Sequence, residues 1–209
     1  MSNSRSRNFR EGNRKKQPEK FILTVVCEGE VTESDYLGYF KRLYRDKLTI
    51  KIVSGIGTDP ESLVNCAVAA RKGDQDPNHS VWILGDQDNS ISQILRAQMD
   101  RAAANGCVYL LSVPNFEVWI LLHFEVLTTF LSIDQAQSRA HTFLTNIERR
   151  ENRKMLTEKH QIYLHDKFGI AQRNLKILNK DNSTKGLTFP FNPSTAVDSL
   201  ISFIFSKVS

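Results

Sequence analysis

Short apolar runs alternate with longer amphipathic segments through the first two thirds of the chain. Four apolar runs have the length and β-branched content of buried strands, at residues 21–27, 49–54, 81–85 and 107–113. The segments that follow them have the apolar spacing of helices, at residues 33–47, 60–72, 91–105 and 116–127. Strands that alternate with helices are joined by right-handed crossovers, which make neighbouring strands parallel. The pattern therefore predicts an α/β fold with a mainly parallel four-stranded sheet flanked by helices.

Two of the predicted helices begin with a recognisable start signal. Thr32, with Asp35 three residues later, is a candidate capping box for the first helix. Asp59 can cap the second helix, and Pro60 suits its first position because an N–H is not needed there.

The last third of the chain has a helical pattern. Helices are expected at residues 133–150 and 158–178, and a terminal helix opens near residues 193–195. We therefore expect a disordered basic tail at residues 1–20, an α/β core at 21–132, and a helical extension at 133–209 packed on that core.

The composition is that of a soluble protein without a membrane span. Apolar residues make up 40% of the chain and charged residues 24%, and no stretch approaches the roughly 20 apolar residues that a span needs. The basic N-terminus lacks the apolar stretch of a secretory signal. Three cysteines without a C-x-x-C pair argue against a disulfide framework. We expect a cytoplasmic protein with reduced thiols.

The net charge of +5 is unevenly distributed along the sequence. Residues 1–20 carry a net charge of +5, residues 21–148 carry −6 and residues 149–185 carry +6. An acidic part that suits a cation is thus followed by a basic part that suits a polyanion such as DNA or RNA. The candidate phosphate contacts are Arg149, Arg150, Arg153, Lys154, Lys159 and Lys167. A solvated helix surface is the default interpretation for each of them taken alone.

Acidic residues follow three of the four predicted strands. Glu28 and Glu30 come directly after the first strand, Asp86 and Asp88 come after the third, and Glu117 follows the fourth across a proline. Because the carboxyl ends of parallel strands meet at one edge of an open sheet, we expect these side chains to gather there. Gathered carboxylates repel one another unless a cation lies among them, and oxygen ligands suit Mg²⁺ or Mn²⁺. Such a cation is typical of phosphoryl chemistry.

Each of these acids also has a structural interpretation. Glu28 can be a solvated acid at a strand end, and Asp86 and Asp88 can cap the helix that follows them. Acids in the first turn of a helix stabilise its positive end. That explanation applies to Glu30, Glu33 and Glu117.

His123 invites both a catalytic and a structural interpretation. On a straight helix it lies six residues after Glu117, about 240° round and roughly 9 Å along the axis, so the two side chains do not easily share one ion. It aligns instead with Phe116 and Trp119, as a packed, hydrogen-bonded histidine would.

The glycine-containing loop after the second strand is a weaker signal. Gly55-Ile56-Gly57 can cradle a phosphate at a helix N-terminus, although a tight turn is the more common reason for a lone G-x-G. The chain contains no Walker A sequence, so ATP hydrolysis is unsupported.

Several motifs, taken in order, resemble the signature of the RloB-like family. Residues 26–33 (V-C-E-G-E-V-T-E) are similar to the sequence that opens the family. The resemblance continues through Asp86-x-Asp88, residues 112–123 (S-x-P-x-F-E-x-W-x-L-L-H) and residues 192–195 (N-P-S-T), and it covers roughly residues 21–209. The Glu-Gly pair and the later Asp-x-Asp also resemble the Toprim metal-binding pattern. One position departs from the family, since Val113 stands where its members usually carry Asn.

The resemblance implies a Toprim/Rossmann-like core and a metal-dependent nuclease in phage defence or abortive infection. In that interpretation Glu28, Glu117 and His123 are catalytic, and Glu28, Asp86, Asp88 and Glu117 hold Mg²⁺ or Mn²⁺. Family members occur near bacterial restriction-modification and abortive-infection systems. A partner ATPase encoded nearby is therefore a candidate partner besides the nucleic acid.

Two other functions fit parts of the same pattern. A non-catalytic module would keep the scaffold and bind a protein or nucleic acid, and the Val113 departure favours it. A receiver-like phosphoacceptor would also place acids at strand ends. It expects the paired acids after the first strand, whereas Asp86 and Asp88 follow the third.

Overall fold

The structure is a computed structural model that describes residues 20–57, 59–73, 76–87, 93–149, 152–186 and 191–209. Three predictions fall outside these residues. They concern the tail up to residue 19, the metal ligand Asp88 and the phosphate contact Arg150.

A mostly parallel sheet forms the centre of the described chain. Its strands are β1 (Phe21–Cys27), β2 (Leu48–Val53), β3 (His79–Asp86), β4 (Cys107–Val113) and β5 (Ser194–Thr195), in the order β2-β1-β3-β4-β5. The first four strands are parallel, as the alternating pattern predicts. The prediction of four strands is wrong by one, because β5 pairs antiparallel with β4. The Ser112 and Thr195 hydroxyls lie 2.9 Å apart across this pair, a hydrogen bond that joins positions 83 residues apart in sequence.

Eight helices lie within the described residues. They are α1 (Thr32–Leu43), α2 (Pro60–Gly73), α3 (Gln93–Ala104), α4 (Glu117–Leu121), α5 (Ile133–Ile147), α6 (Glu158–Asp166), α7 (Phe168–Thr184) and α8 (Val197–Val208). None of these helices is long and apolar enough to cross a membrane.

Helices cover both faces of the sheet. Successive side chains of a strand point to opposite sides, and the strands are apolar on both, so each face needs a covering layer. In β1, Val26 packs in a cluster with residues of α2, whereas Leu23 and Val25 belong to a larger cluster on the other face. The larger cluster also contains buried residues of α1, α4, α5, α7 and α8. The segment after residue 132 therefore shares one hydrophobic core with the strands.

The apolar run at residues 116–127 does not form the predicted helix. α4 ends at Leu121, and the chain then leaves the helix through short turns in which His123 N–H bonds to Ile120 O and Phe124 N–H to Leu121 O. Residues 118–123 are apolar or aromatic because they are buried on all sides, and burial alone does not specify a helix. Asn174 from α7 donates to the Leu122 carbonyl, which accommodates the end of the helix.

Several helix boundaries also differ from the sequence pattern. The expected helix at 158–178 is two helices that break at Lys167, and the terminal helix begins at Val197. α5 stops at Ile147, short of residue 150. There the buried His160 ring donates from Nε2 to the Leu144 and Glu148 carbonyls, and the Leu144 carbonyl also accepts the Glu148 N–H.

The predicted capping box of the first helix is wrong. α1 begins at Thr32 itself, and the residue before it, Val31, makes no side-chain cap. Thr32 Oγ1 donates instead to the Lys154 carbonyl at 2.9 Å, and Asp35 Oδ2 accepts from Leu156 N–H at 2.9 Å. Both side chains therefore hold the segment at residues 152–157 against α1.

Candidate functional site

An acidic cleft of about 500 Å³ lies at the carboxyl ends of the central strands. The acidic residues that line it are Glu28, Glu30, Glu33, Asp86 and Glu117. β1 and β3 are neighbours with Cys27 opposite Leu84, so the chain leaves both strands at the same edge of the sheet. The structure thus brings together the predicted acids that it describes.

Glu28 and Asp86 are in direct contact at the ends of their strands. The Asp86 backbone N–H donates to Glu28 Oε2 at 2.9 Å, and the Glu28 N–H extends the strand pairing to the Leu84 carbonyl at 3.1 Å. Gly85 precedes Asp86 in β3 and leaves space for the Tyr109 ring. A Cβ at residue 85 would lie 2.3 Å from the Tyr109 hydroxyl oxygen. The backbone itself therefore fixes the separation of the first two acids.

Glu33 belongs to the cleft, although its sequence position suggested only a helix-start acid. Its side chain is 5% exposed, and its Oε1 accepts the Gly29 N–H at 3.1 Å. A Cβ at residue 29 would lie 2.0 Å from Glu33 Oε2, so any larger residue there would displace the Glu33 carboxylate. The sequence signal was the four-residue spacing between Gly29 and Glu33, which places a carboxylate against the turn that carries Glu28.

Burial and mutual repulsion disfavour ionisation of the acids in the cleft. The pKa of Asp86 is raised well above its ordinary value, first by burial and then by the charges of Glu33, Glu28 and Glu117. Burial also raises the pKa of Glu33, against the opposing effects of backbone N–H groups and of the Lys154 charge. Extra positive charge in the cleft would lower both pKa values.

The donor set of this cleft fits a hard divalent cation. Glu28, Asp86 and Glu117 offer oxygen ligands, the type that Mg²⁺ and Mn²⁺ prefer. Within the described ranges, however, no three His, Cys, Asp or Glu side chains converge closely enough to form a ready metal site. Asp88 follows Asp86 by two residues and lies outside those ranges.

Glycines of the loop after β2 form another wall of the cleft. Gly55 and Gly57 line it with φ values of 75° and 118°, which lie in the left-handed region that favours glycine. The turn geometry thus accounts for both glycines. Because both glycines line the cleft, phosphate binding by this loop stays a prediction.

The predicted basic residues separate into two groups. Lys154 lines the acidic cleft, and Arg153 and Lys154 both line a neighbouring cavity. Lys159 pairs with Glu148 at 2.8 Å, and Lys167 Nζ lies 5.7 Å from the centre of the Tyr163 ring. Arg149 is exposed and lines neither cavity.

His123 lies in the hydrophobic core and not in the acidic cleft. It is 1% exposed, its Nδ1 donates to the Trp119 carbonyl at 2.8 Å, and its ring centroid lies 4.9 Å from that of Trp119. Burial lowers its pKa to about 4. The structure therefore does not bring His123 to Glu117, and its contacts are those of the packed histidine.

Asn115 is a further polar residue of interest that sequence reasoning left aside. It is 4% exposed, and neither amide atom has a hydrogen-bond partner among the described residues. It follows the cis Val113–Pro114 peptide and precedes Glu117 by two residues. A buried amide without a partner is costly, so this position is a candidate for contact with a ligand. The neighbouring Val113 packs with Leu95 and Leu111.

Comparison with models of known protein families finds a match over most of the chain. The family model described as RloB-like protein matches residues 23–204, from β1 to α8. The matched range contains every acidic residue that lines the cleft. No curated protein and no solved structure matches the chain.

Proposed function

The chain belongs to the RloB-like family, and we propose that it is a Mg²⁺- or Mn²⁺-dependent nuclease that acts in phage defence. The observation that supports this function best is the environment of Asp86. Burial and three neighbouring carboxylates raise its pKa, and such a site gains most from a bound divalent cation. The order of Glu-Gly after β1 and Asp86 at the end of β3 also supports a Toprim-related arrangement.

The side chains of the cleft have different roles in the proposed reaction. Asp86 and Glu117, with Glu28 and Asp88, would hold the cation, which when bound activates water and offsets the charge of the scissile phosphate. Glu28 is also the proposed proton acceptor, because its carboxylate lies in the cleft beside Asp86, which would hold the cation. Lys154 would attract the phosphate.

Glu33 has a different role from the other acids. Its carboxylate accepts the Gly29 N–H and experiences the Lys154 charge. It therefore holds the turn that positions Glu28. We assign Glu33 as a positioning residue.

A non-catalytic binding module is the second candidate function. The observation that favours it is that no three potential metal ligands converge within the described residues. Affinity for Mn²⁺ separates the two candidates, because an inert scaffold has no need of a cation among its acids.

Cleavage assays test the proposed nuclease directly. Wild-type protein, Asp86→Asn and Glu28→Gln are incubated with single- and double-stranded DNA and RNA, with Mg²⁺, with Mn²⁺ and with chelator. We expect metal-dependent cleavage that falls by at least about 100-fold in both variants, while Asp100→Asn, an exposed acid of α3, cleaves as wild type does. Cleavage that persists in both folded variants, or in chelator, would contradict the proposal.

A further inference from the structure

A second cavity, of about 320 Å³, adjoins the acidic cleft. The two share Thr32, Glu117, Gln137 and Lys154 in their walls, so they form one continuous surface. The additional residues of the second cavity come from α4, from α5 and from the segment at 152–157. A ligand that reaches the acids can therefore extend into this cavity.

The interior of this cavity has an apolar floor. Ile120 is fully buried, Ala140 is 2% exposed and Leu144 is 1% exposed. They come from α4 and α5, two helices that pack against each other, so the floor is a part of the folded core. These three side chains have almost no exposed surface, so most of the area that a ligand meets comes from the other residues of the wall, and it is more apolar than polar. Such a lining binds a flat, largely apolar group better than it binds a phosphate.

The rim of the cavity carries both charges and neutral polar groups. Arg153 and Lys154 supply positive charge, Asp134 and Glu117 supply negative charge, and Gln137 offers an amide. Two acids in the wall disfavour a purely anionic ligand. A nucleotide combines an anionic phosphate with a base that has an apolar face and N–H donors, which matches this mixture.

We infer that this cavity binds an unpaired nucleotide of a single-stranded nucleic acid whose neighbouring phosphate lies in the acidic cleft. The base packs on the apolar floor and its N–H groups face Asp134 and Gln137. The adjoining phosphate lies beside Lys154, which both cavities share. A base within a duplex is stacked and paired, so it reaches such a cavity only after strand separation or flipping.

The cationic side of this site is held in place by long-range contacts. The Lys154 carbonyl accepts from Thr32, and the Leu156 N–H donates to Asp35, so the segment is fixed to α1. Its other end is fixed by His160, whose Nδ1 accepts from the Thr157 backbone N–H. The backbone that carries these cations is therefore fixed beside the cavity, which lowers the ordering cost of binding.

Binding without metal tests the inference separately from catalysis, although the inference rests on the proposed nuclease for its biological meaning. Fluorescence anisotropy in chelator compares a labelled single strand, the same strand with abasic positions, its duplex and a mononucleotide as competitor. We expect the intact strand to bind about tenfold more tightly than the abasic strand or the duplex, a difference of about 1.4 kcal/mol. Equal affinities, no measurable binding, or a mononucleotide as tight as the strand would each overturn the inference.

Two variants with matched controls locate the binding to the cavity. Ser138→Trp places a bulky side chain at an exposed position of the cavity wall. Asn179→Trp places the same side chain at an exposed position of α7, outside the cavity. We expect the first to weaken single-strand binding about tenfold and the second to leave it unchanged. Arg153→Gln and the exposed Arg173→Gln make a second pair, with a fall of about threefold expected only for the first.

The outcomes separate the inference from the nuclease proposal. If the protein prefers single strands, Ser138→Trp abolishes that preference and no cleavage is seen, the cavity is supported and the nuclease is contradicted. Metal-dependent cleavage in a protein whose strand affinity is unaffected by Ser138→Trp would support the nuclease and overturn the cavity. Circular dichroism confirms that each variant is folded.

Discussion

The carboxyl group of Asp86 faces the negative charges of Glu33, Glu28 and Glu117. In the folded chain its protonated form is favoured, so its pKa is raised above the ordinary value of 3.8. A raised pKa in the folded state means that the folded state binds more protons than the unfolded state. The associated stability is fully present below pH 3.8 and is lost as pH rises through the raised folded pKa.

Asp86→Asn should therefore stabilise the protein at neutral pH when no divalent cation is present. An amide cannot ionise, so the variant avoids the cost of a half-buried charge beside three other acids. We expect a gain of about 1–2 kcal/mol in the free energy of unfolding at pH 7, and a smaller gain at pH 4. Urea denaturation in chelator measures both values, and a gain that is equal at the two pH values would contradict the assigned cause.

His123 should make the protein less stable in mild acid. Its pKa is lowered from 6.5 to about 4 by burial, so the unfolded state binds more protons between these values. The stability from the neutral ring is present above pH 6.5 and is lost as pH falls through 4. Between pH 7 and pH 4, wild type should lose about 3 kcal/mol more than His123→Phe. Parallel stability curves for the two proteins would contradict this prediction.

At the scale of elements, the turn between β1 and α1 couples backbone geometry to the acidic cleft. Gly29→Ala places a Cβ 2.0 Å from Glu33 Oε2, and the buried Glu33 carboxylate then loses the position in which it accepts the Gly29 N–H. We expect a loss of about 2 kcal/mol in the free energy of unfolding, because a buried carboxylate loses a hydrogen bond.

Gly169→Ala is the matched control for this substitution. A Cβ at Gly169 in α7 meets nothing within 4 Å. Alanine is favoured over glycine in a helix, so this variant should be more stable by about 0.5–1 kcal/mol. Chemical denaturation of both variants gives the comparison, and a Gly29→Ala protein as stable as wild type would contradict the described turn.

The elements that sequence predicted correctly are those whose signal is local. β1 and β4 have the predicted bounds because period and composition report a buried strand directly. The capping box at Thr32 and Asp35 was wrong because both side chains bond to residues more than 100 positions away. β5 could not be predicted for the same reason, because its two residues form a strand only by pairing with β4.

The candidate site divides in the same way. Glu28, Asp86 and Glu117 were predicted to meet because the carboxyl ends of parallel strands share one edge. The burial of Glu33 and its interaction with Lys154 depend on how the segment at 152–157 packs on α1. No pattern within either segment reports that packing.

At the scale of the whole molecule, acidic and basic parts of the sequence meet in one continuous surface. The part with a net charge of −6 supplies the acidic cleft, and the part with +6 supplies Arg153 and Lys154. Nucleic-acid binding should therefore weaken as salt is added, because bound phosphates release their counterions. The basic residues at 1–19 add a net charge of +4 to this attraction.

Deletion of residues 1–19 tests the contribution of that basic sequence. Each phosphate contact to a single strand contributes about −0.7 to the slope of log affinity against log salt. We expect the deletion to make the slope less steep by up to about 3, and the preference for an unpaired strand to remain. Anisotropy titrations at several salt concentrations measure both quantities. An unchanged slope, or loss of the preference, would contradict this division of roles.

Binding of Mn²⁺ to the acidic cleft is the most direct test of the central claim. Electron paramagnetic resonance distinguishes free from bound Mn²⁺ in titrations of wild type, Asp86→Asn and the exposed control Asp100→Asn. Saturable binding by wild type and the control, weakened at least about tenfold in Asp86→Asn, is the predicted result. Absence of binding, or equal binding by all three proteins, would contradict a divalent-cation site among these carboxylates.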